Sequence, residues 1–156
     1  MATGKLFRSI LVAYDGTPAA SKIVDVAMSL AQNVGAKLTV LGIVPPLSAE
    51  ASAEGWGLDK EQRFRPHLEA EMRRLTAQAD ELAVEINTEI VSGNLDKTIE
   101  ERARGDDVDL VIVGHRTITR VRRWFEGRST AEGLVSSAKT SVLVIPEIEE
   151  RDNETA

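Results

Sequence analysis

The 156-residue sequence contains no cysteine and only two histidines, which narrows the chemistry it can carry. Without cysteine it can form no disulfide, no thiolate metal site and no thiol nucleophile. His67 and His115 lie far apart in the sequence and in unlike contexts, which argues against a zinc site. No nucleophile can be identified beside His115, so a polar, hydrogen-bonding role is favoured for it over general base catalysis.

Several sequence motifs are also absent. There is no GxGxxG after the first predicted strand, no GxxxxGK[ST] and no GxSxG, which disfavours the usual nucleotide-fold enzymes. The apolar runs are too short for a signal peptide or a membrane span. The net charge of −6 argues against general nucleic-acid binding. We expect a cytoplasmic, non-enzymatic protein with one domain, residues 1–147, and a disordered acidic tail, residues 148–156.

The spacing of apolar residues alternates between strand-like and helix-like along the chain. Strands are predicted over residues 9–14, 38–44, 84–90, 109–114 and 141–145. Helices are predicted over residues 18–34, 60–82, 95–103 and 131–138, with a long loop over residues 45–59. This alternation predicts an α/β fold: a single doubly wound five-stranded parallel sheet with helices on both faces. Ligands of such sheets bind at the carboxyl ends of the strands.

Asp15 follows the first predicted strand directly and has two interpretations. Its carboxylate could accept hydrogen bonds from ribose hydroxyls or help to hold a magnesium ion. Alternatively, residues 15–18 (Asp-Gly-Thr-Pro) turn the chain and cap the next helix, which is the ordinary role of such residues.

The segment after the fourth strand is a second candidate region. Gly114 allows the backbone to turn off the strand, and Gly127 precedes a predicted helix with Ser129 and Thr130. Glycine and hydroxyl residues at a helix N-terminus form a ready anion site. Ordinary helix capping by Ser129 or Thr130 explains the same residues.

Five arginines lie within the thirteen positions 116–128 of this acidic chain. Guanidinium groups bind phosphate in a bidentate manner, although a solvated surface paired with acidic side chains is an equal alternative. These arginines are Arg116, Arg120, Arg122, Arg123 and Arg128.

In four segments the sequence resembles the universal stress protein family. Residues 10–17 (ILVAYDGT) resemble the family's first strand and acidic turn, and residues 38–44 (LTVLGIV) its second strand. Residues 111–116 (VIVGHR), then Gly127, then residues 141–146 (SVLVIP) resemble its carboxyl-terminal signature. The resemblance covers about residues 6–147 and implies a Rossmann-like fold of the adenine nucleotide alpha hydrolase type.

ATP-binding members of that family carry the motif G-x2-G-x9-G-[ST] after the fourth strand. Gly114 and Gly127 match its first and third glycines, whereas Thr117 replaces the second glycine and Arg128 replaces the serine or threonine. Both departures fall where phosphates would lie. A side chain at Thr117 in a conformation with positive φ would cost about 1 kcal/mol or more.

The resemblance implies a nucleotide site with Asp15 near the ribose and the nucleotide-bound magnesium. Ala13 and Ile43 would line the adenine pocket, and Val113 would contact the nucleoside. The full set of implied nucleotide-binding residues is Ala13, Tyr14, Asp15, Ile43, Val113, Gly114, Arg116, Thr117, Gly127, Arg128, Ser129 and Thr130.

The expected function is therefore a stress-response regulator that binds ATP or a related adenine nucleotide, with magnesium as an accompanying ion and at most weak ATP hydrolysis. The family usually dimerises through its last strand, and residues 141–145 are apolar enough for a homodimer. The alternative is a dimeric interaction module that binds no nucleotide and docks an acidic partner on Arg120, Arg122 and Arg123.

Overall fold

The computed structural model describes residues 6–44, 56–105, 107–114 and 140–146. Strands and helices alternate along this part of the chain. In chain order they are β1 (Ser9–Tyr14), α1 (Pro18–Val34), β2 (Lys37–Val44), α2 (Trp56–Glu81), β3 (Ile86–Ser92), α3 (Leu95–Arg104), β4 (Leu110–Gly114) and β5 (Ser141–Ile145).

The strands form one parallel five-stranded sheet in the order β3-β2-β1-β4-β5. Strand β1 lies at the centre of the sheet, with β2 and β3 on one side of it and β4 and β5 on the other. This confirms the predicted doubly wound parallel sheet. The strand order reverses at β1, and ligands of such sheets bind beside the carboxyl ends at that point.

Buried apolar side chains cover both faces of the sheet in two clusters. On one face, Ile10 and Val12 of β1 pack against Val24 and Met28 of α1 and against Leu75 of α2, all at most 1% exposed. The opposite face carries a smaller cluster that includes Leu11, Leu41, Val111 and Ala103. Since Ala103 belongs to α3, helices cover both faces, as predicted.

Helix α1 has the ends that its sequence indicates. Thr17 is extended (φ −80°, ψ 156°) and its Oγ1 accepts a hydrogen bond from the Ala20 N–H at 3.2 Å. Pro18 occupies the first turn, where a missing N–H is harmless. Gly35 ends the helix in the left-handed conformation (φ 67°), which glycine adopts without steric strain.

Two predicted elements have boundaries that differ from the structure by more than one residue. Helix α2 begins at Trp56 rather than at residue 60, because Gly57 masks the helical pattern but is tolerated at about 1 kcal/mol. Strand β3 spans Ile86–Ser92 rather than 84–90. Ala83 has a φ of 54° and the Val84 N–H bonds to the Ala79 carbonyl, so Val84 closes α2 instead of starting the strand. The helix predicted over residues 131–138 and the tail lie outside the described residues.

Candidate functional site

Three apolar residues of the predicted nucleotide site lie on one face of the sheet at its carboxyl edge. Ile43 and Val113 are 4% and 5% exposed and belong to the cluster under α3. Ala13 lies two residues after Leu11 of that cluster, so strand alternation places it on the same face. Strand β1 pairs with both β2 and β4. These three residues therefore come from three neighbouring strands.

Asp15 lies directly beyond β1, exposed to solvent. Its Oδ1 accepts hydrogen bonds from the Thr17 N–H at 3.0 Å and from the Thr17 hydroxyl at 2.6 Å. The carboxylate thus fixes the turn whose last residue caps α1, which is the structural interpretation of this motif. Both bonds use Oδ1, so Oδ2 can still accept from a ligand. The turn therefore both orients the carboxylate and leaves it one oxygen for binding.

Helix α2 covers this turn, which the sequence did not indicate. Gly16 has a φ of 81°, and a Cβ built there would lie 3.4 Å from side-chain atoms of His67 and Leu68 and 3.6 Å from Phe64. The His67 Nε2 lies 3.4 Å from the Gly16 carbonyl oxygen. The turn after β1 is therefore held between α1 and α2.

The Tyr14 side chain points away from Ala13, into the core between α1 and α2. It is 1% exposed, and its hydroxyl lies 3.4 Å from Ser21 Oγ and donates to Glu71 Oε2 at 3.3 Å. Burial raises the pKa of this phenol. Tyr14 thus joins β1, α1 and α2 behind the candidate site, and only its backbone can face a ligand on the Ala13 side.

Glu71 completes this contact on α2. Arg74 donates to Glu71 Oε2 at 3.0 Å. This hydrogen bond is the main reason that the pKa of the Glu71 carboxyl lies below its usual range. The ionised carboxylate is therefore the form that accepts from Tyr14.

Gly114 ends β4 beside α1, and the structure gives a packing reason for this glycine. A Cβ at Gly114 would lie 2.3 Å from Ile23 Cδ1. Its φ lies outside the left-handed region, unlike that of Gly16. The close approach of Ile23 on α1 to the end of β4 therefore favours glycine here, whether or not a ligand also contacts its backbone.

The other predicted site residues lie outside the described part of the chain and stay predictions. They are Arg116, Thr117, Gly127, Arg128, Ser129 and Thr130, together with the alternative docking residues Arg120, Arg122 and Arg123.

Within the described ranges, no group of three or more His, Asp or Glu side chains is arranged to hold a metal ion. None of the helices described is long and apolar enough to cross a membrane.

The chain matches the universal stress protein family over residues 6–146. It therefore belongs to this family, as the sequence motifs suggested. A universal stress protein of Thermus aquaticus is 30% identical to it over 143 residues, covering 90% of this chain and 99% of the relative.

Solved structures of the family share the fold. A universal stress protein family member from Burkholderia pseudomallei has a TM-score of 0.69 at 24% identity, covering 92% of this chain and 98% of its own. A universal stress protein in complex with cAMP has a TM-score of 0.60 at 20% identity and covers 91% and 98% of the two chains. A family member from Arabidopsis thaliana with AMP bound has a TM-score of 0.64 at 12% identity, with coverage of 95% and 97%.

Proposed function

We propose that this protein is a regulatory universal stress protein that binds an adenine nucleotide at the carboxyl ends of β1, β2 and β4. The observation that supports this most strongly is the placement of Ala13, Ile43 and Val113 on one face, with Asp15 at the same edge. Structures of the same fold hold cAMP and AMP. The apolar face and the carboxylate match the two parts of a nucleoside.

Each group has a distinct role in this proposal. The adenine base packs against Ile43 and Val113, and the small side chain of Ala13 leaves room for the ring. Asp15 Oδ2 accepts from the ribose hydroxyls, while Thr17 holds Oδ1. The phosphates extend toward the residues after β4, where Gly127, Ser129 and Thr130 are the predicted contacts. With ATP, Asp15 also lies near the nucleotide-bound magnesium.

The protein acts as a regulator through nucleotide occupancy rather than through turnover. Asp15 and Thr17 hold each other in a turn that α2 covers. A ligand that binds Asp15 therefore acts on the contact between β1, α1 and α2. Such coupling changes shape or partner affinity without bond cleavage.

Homodimerisation through β5 is part of the same proposal. This strand lies at the edge of the sheet, and Val142 and Leu143 are 49% and 37% exposed. Two adjacent apolar side chains on an edge strand favour pairing with a second copy.

Calorimetric titration of nucleotide-stripped protein with AMP, and with ATP plus magnesium, tests the binding. We expect saturable binding that Asp15→Asn weakens about tenfold or more, since a hydrogen bond to a charged group contributes about 1.5–3 kcal/mol. Asp80→Asn is the matched control, because Asp80 is an exposed aspartate on α2. Absence of heat up to millimolar nucleotide would contradict the proposal and favour the arginine-rich interaction module.

A further inference from the structure

Strand β3 forms the other edge of the sheet, opposite β5. In residues 6–44, 56–105, 107–114 and 140–146, no strand pairs with its outer side. The Glu85 carbonyl accepts from the Leu38 N–H at 2.8 Å, and the Gly93 N–H donates to the Val44 carbonyl at 3.0 Å. Every second residue of a strand directs its N–H and C=O to the same side. The odd-numbered residues of β3 therefore form the hydrogen bonds to β2. The residues whose N–H and C=O point outward are Ile86, Thr88, Ile90 and Ser92.

An open groove of about 440 Å³ lies beside this edge, between β3 and α2. Met72 and Ile90 give it an apolar part, and Thr88 adds a hydroxyl. The side chains that line it from β3 belong to the same residues whose backbone groups point outward. A strand added to β3 would therefore place every second side chain over this groove.

The groove carries positive charge on an acidic protein. Arg65, Glu69 and Arg73 of α2 line it, so two cations stand against one anion while the whole chain has a net charge of −6. Arg65 and Arg73 are eight residues apart, which corresponds to about 12 Å along the helix axis. A bound strand rises about 3.3 Å per residue, so the same distance covers about four of its residues. Arg65 donates to Ser92 Oγ at 3.1 Å, at the end of β3. The two guanidinium groups thus follow the direction of the edge strand.

We propose that the outer edge of β3 and this groove bind an extended acidic segment of another protein by strand addition. Main-chain hydrogen bonds to β3 provide the affinity, and carboxylates on every second residue meet Arg65 and Arg73. Strand β3 contains no proline or lysine, residues that commonly block an edge. Its one charged residue, Glu89, pairs with Arg102 of α3 on the opposite face.

A second copy of this chain is a poorer occupant of the same edge. Antiparallel pairing of two β3 strands about a two-fold axis would bring Arg65 of one copy toward Arg73 of the other. Like charges opposed across an interface disfavour it, whereas an acidic segment neutralises both.

Fluorescence anisotropy with a labelled probe tests the strand addition. The probe is the synthetic peptide acetyl-Thr-Glu-Val-Glu-Val-Glu-Val-Thr-amide, titrated with the full-length protein. Thr88→Pro removes one outward N–H and leaves the bonds to β2 intact, and we expect it to weaken binding about tenfold. Thr88→Val removes the hydroxyl but keeps the N–H, so it should leave binding within about twofold of the parent. Circular dichroism checks that both variants are folded.

The charge requirement is tested separately with the Arg65→Gln/Arg73→Gln double variant. We expect it to weaken binding by tenfold or more and to flatten its salt dependence, whereas Lys97→Gln on α3 should have no effect. A probe with lysine in place of glutamate should not bind. Three results would overturn the proposal: no binding of the acidic probe, equal binding by the Thr88→Pro variant, or a dimer in sedimentation that Thr88→Pro dissociates, which would place a second copy at this edge.

Discussion

The close approach of α1 to the end of β4 depends on the absence of a side chain at Gly114. A Cβ built there would lie 2.3 Å from Ile23 Cδ1 and 3.7 Å from Ile23 Cγ1. Only the terminal methyl group of Ile23 must move, so Gly114→Ala should lower the free energy of unfolding by about 1–2 kcal/mol, within the range for overpacking. For a domain of this size that corresponds to a fall in Tm of roughly 2–8 °C.

A double-mutant cycle with Ile23→Val tests whether the clash with Ile23 causes the destabilisation by Gly114→Ala. Ile23→Val removes Cδ1 and alone should lower stability by about 0.5–1.5 kcal/mol. In the Gly114→Ala background the same change removes the clash, so the two effects should fall short of additivity by about 1 kcal/mol. Urea unfolding followed by circular dichroism measures all four proteins.

Gly42→Ala serves as the control for this cycle. A Cβ at Gly42 would lie 2.8 Å from Met72 Cε, and its nearest neighbours do not include Ile23, so Ile23→Val should not rescue it. Strict additivity of Gly114→Ala with Ile23→Val would refute the packing argument. AMP binding by the rescued double variant then shows whether Gly114 also serves the ligand.

Three further predictions concern the cap, the buried threonine and the Glu71 contact. Thr17→Ala should destabilise the protein by about 1 kcal/mol in urea unfolding, because the Thr17 Oγ1 caps α1, while Thr17→Ser should be nearly neutral. Thr140→Val should lower the unfolding free energy by about 1–3 kcal/mol, since the buried hydroxyl lies within donating distance of the Ala103 and Val108 carbonyls. Thr76→Val is the control: Thr76 is exposed on α2 and its hydroxyl donates only to the Met72 carbonyl of the same helix, so the change should be less than about 0.5 kcal/mol. The lowered pKa of Glu71 means that its ionised form stabilises the fold above the carboxyl pKa of the unfolded chain, about 4.3, and that this contribution is lost as pH falls through the folded value. Thermal unfolding between about pH 6 and pH 3 should therefore fall more steeply for the parent than for Glu71→Gln, and parallel curves would contradict this.

Local sequence signals were sufficient to predict the sheet and the ends of α1. Continuous apolar strands indicated a sheet covered on both faces, and Thr17, Pro18 and Gly35 carry the chemistry of a helix start and stop. The predicted ends of helices and strands were wrong where contacts in the folded chain override the local apolar pattern. Val84 looked like the first residue of a strand, but its N–H bonds to the Ala79 carbonyl at the end of α2.

The candidate site was predictable only in part. The family resemblance implied Ala13, Ile43 and Val113 as site residues, and in the structure these three residues lie on one face of the sheet. The resemblance also implied Tyr14, but strand alternation directs its side chain to the opposite face from Ala13. His67 and Leu68 pack over Gly16, although they lie about fifty positions away from it in the sequence. No local pattern indicates such a contact, because it depends on how α2 packs across the sheet.

The most direct test of nucleotide binding at this edge is an NMR titration of ¹⁵N-labelled protein with AMP. We predict saturable shifts of the Ala13, Asp15, Ile43 and Gly114 amide signals, with those of β3 residues such as Thr88 unchanged. The Asp15→Asn variant should show the same pattern only at higher AMP concentration. Unchanged spectra at millimolar AMP, or shifts confined to residues away from the carboxyl ends of β1, β2 and β4, would contradict the proposed site.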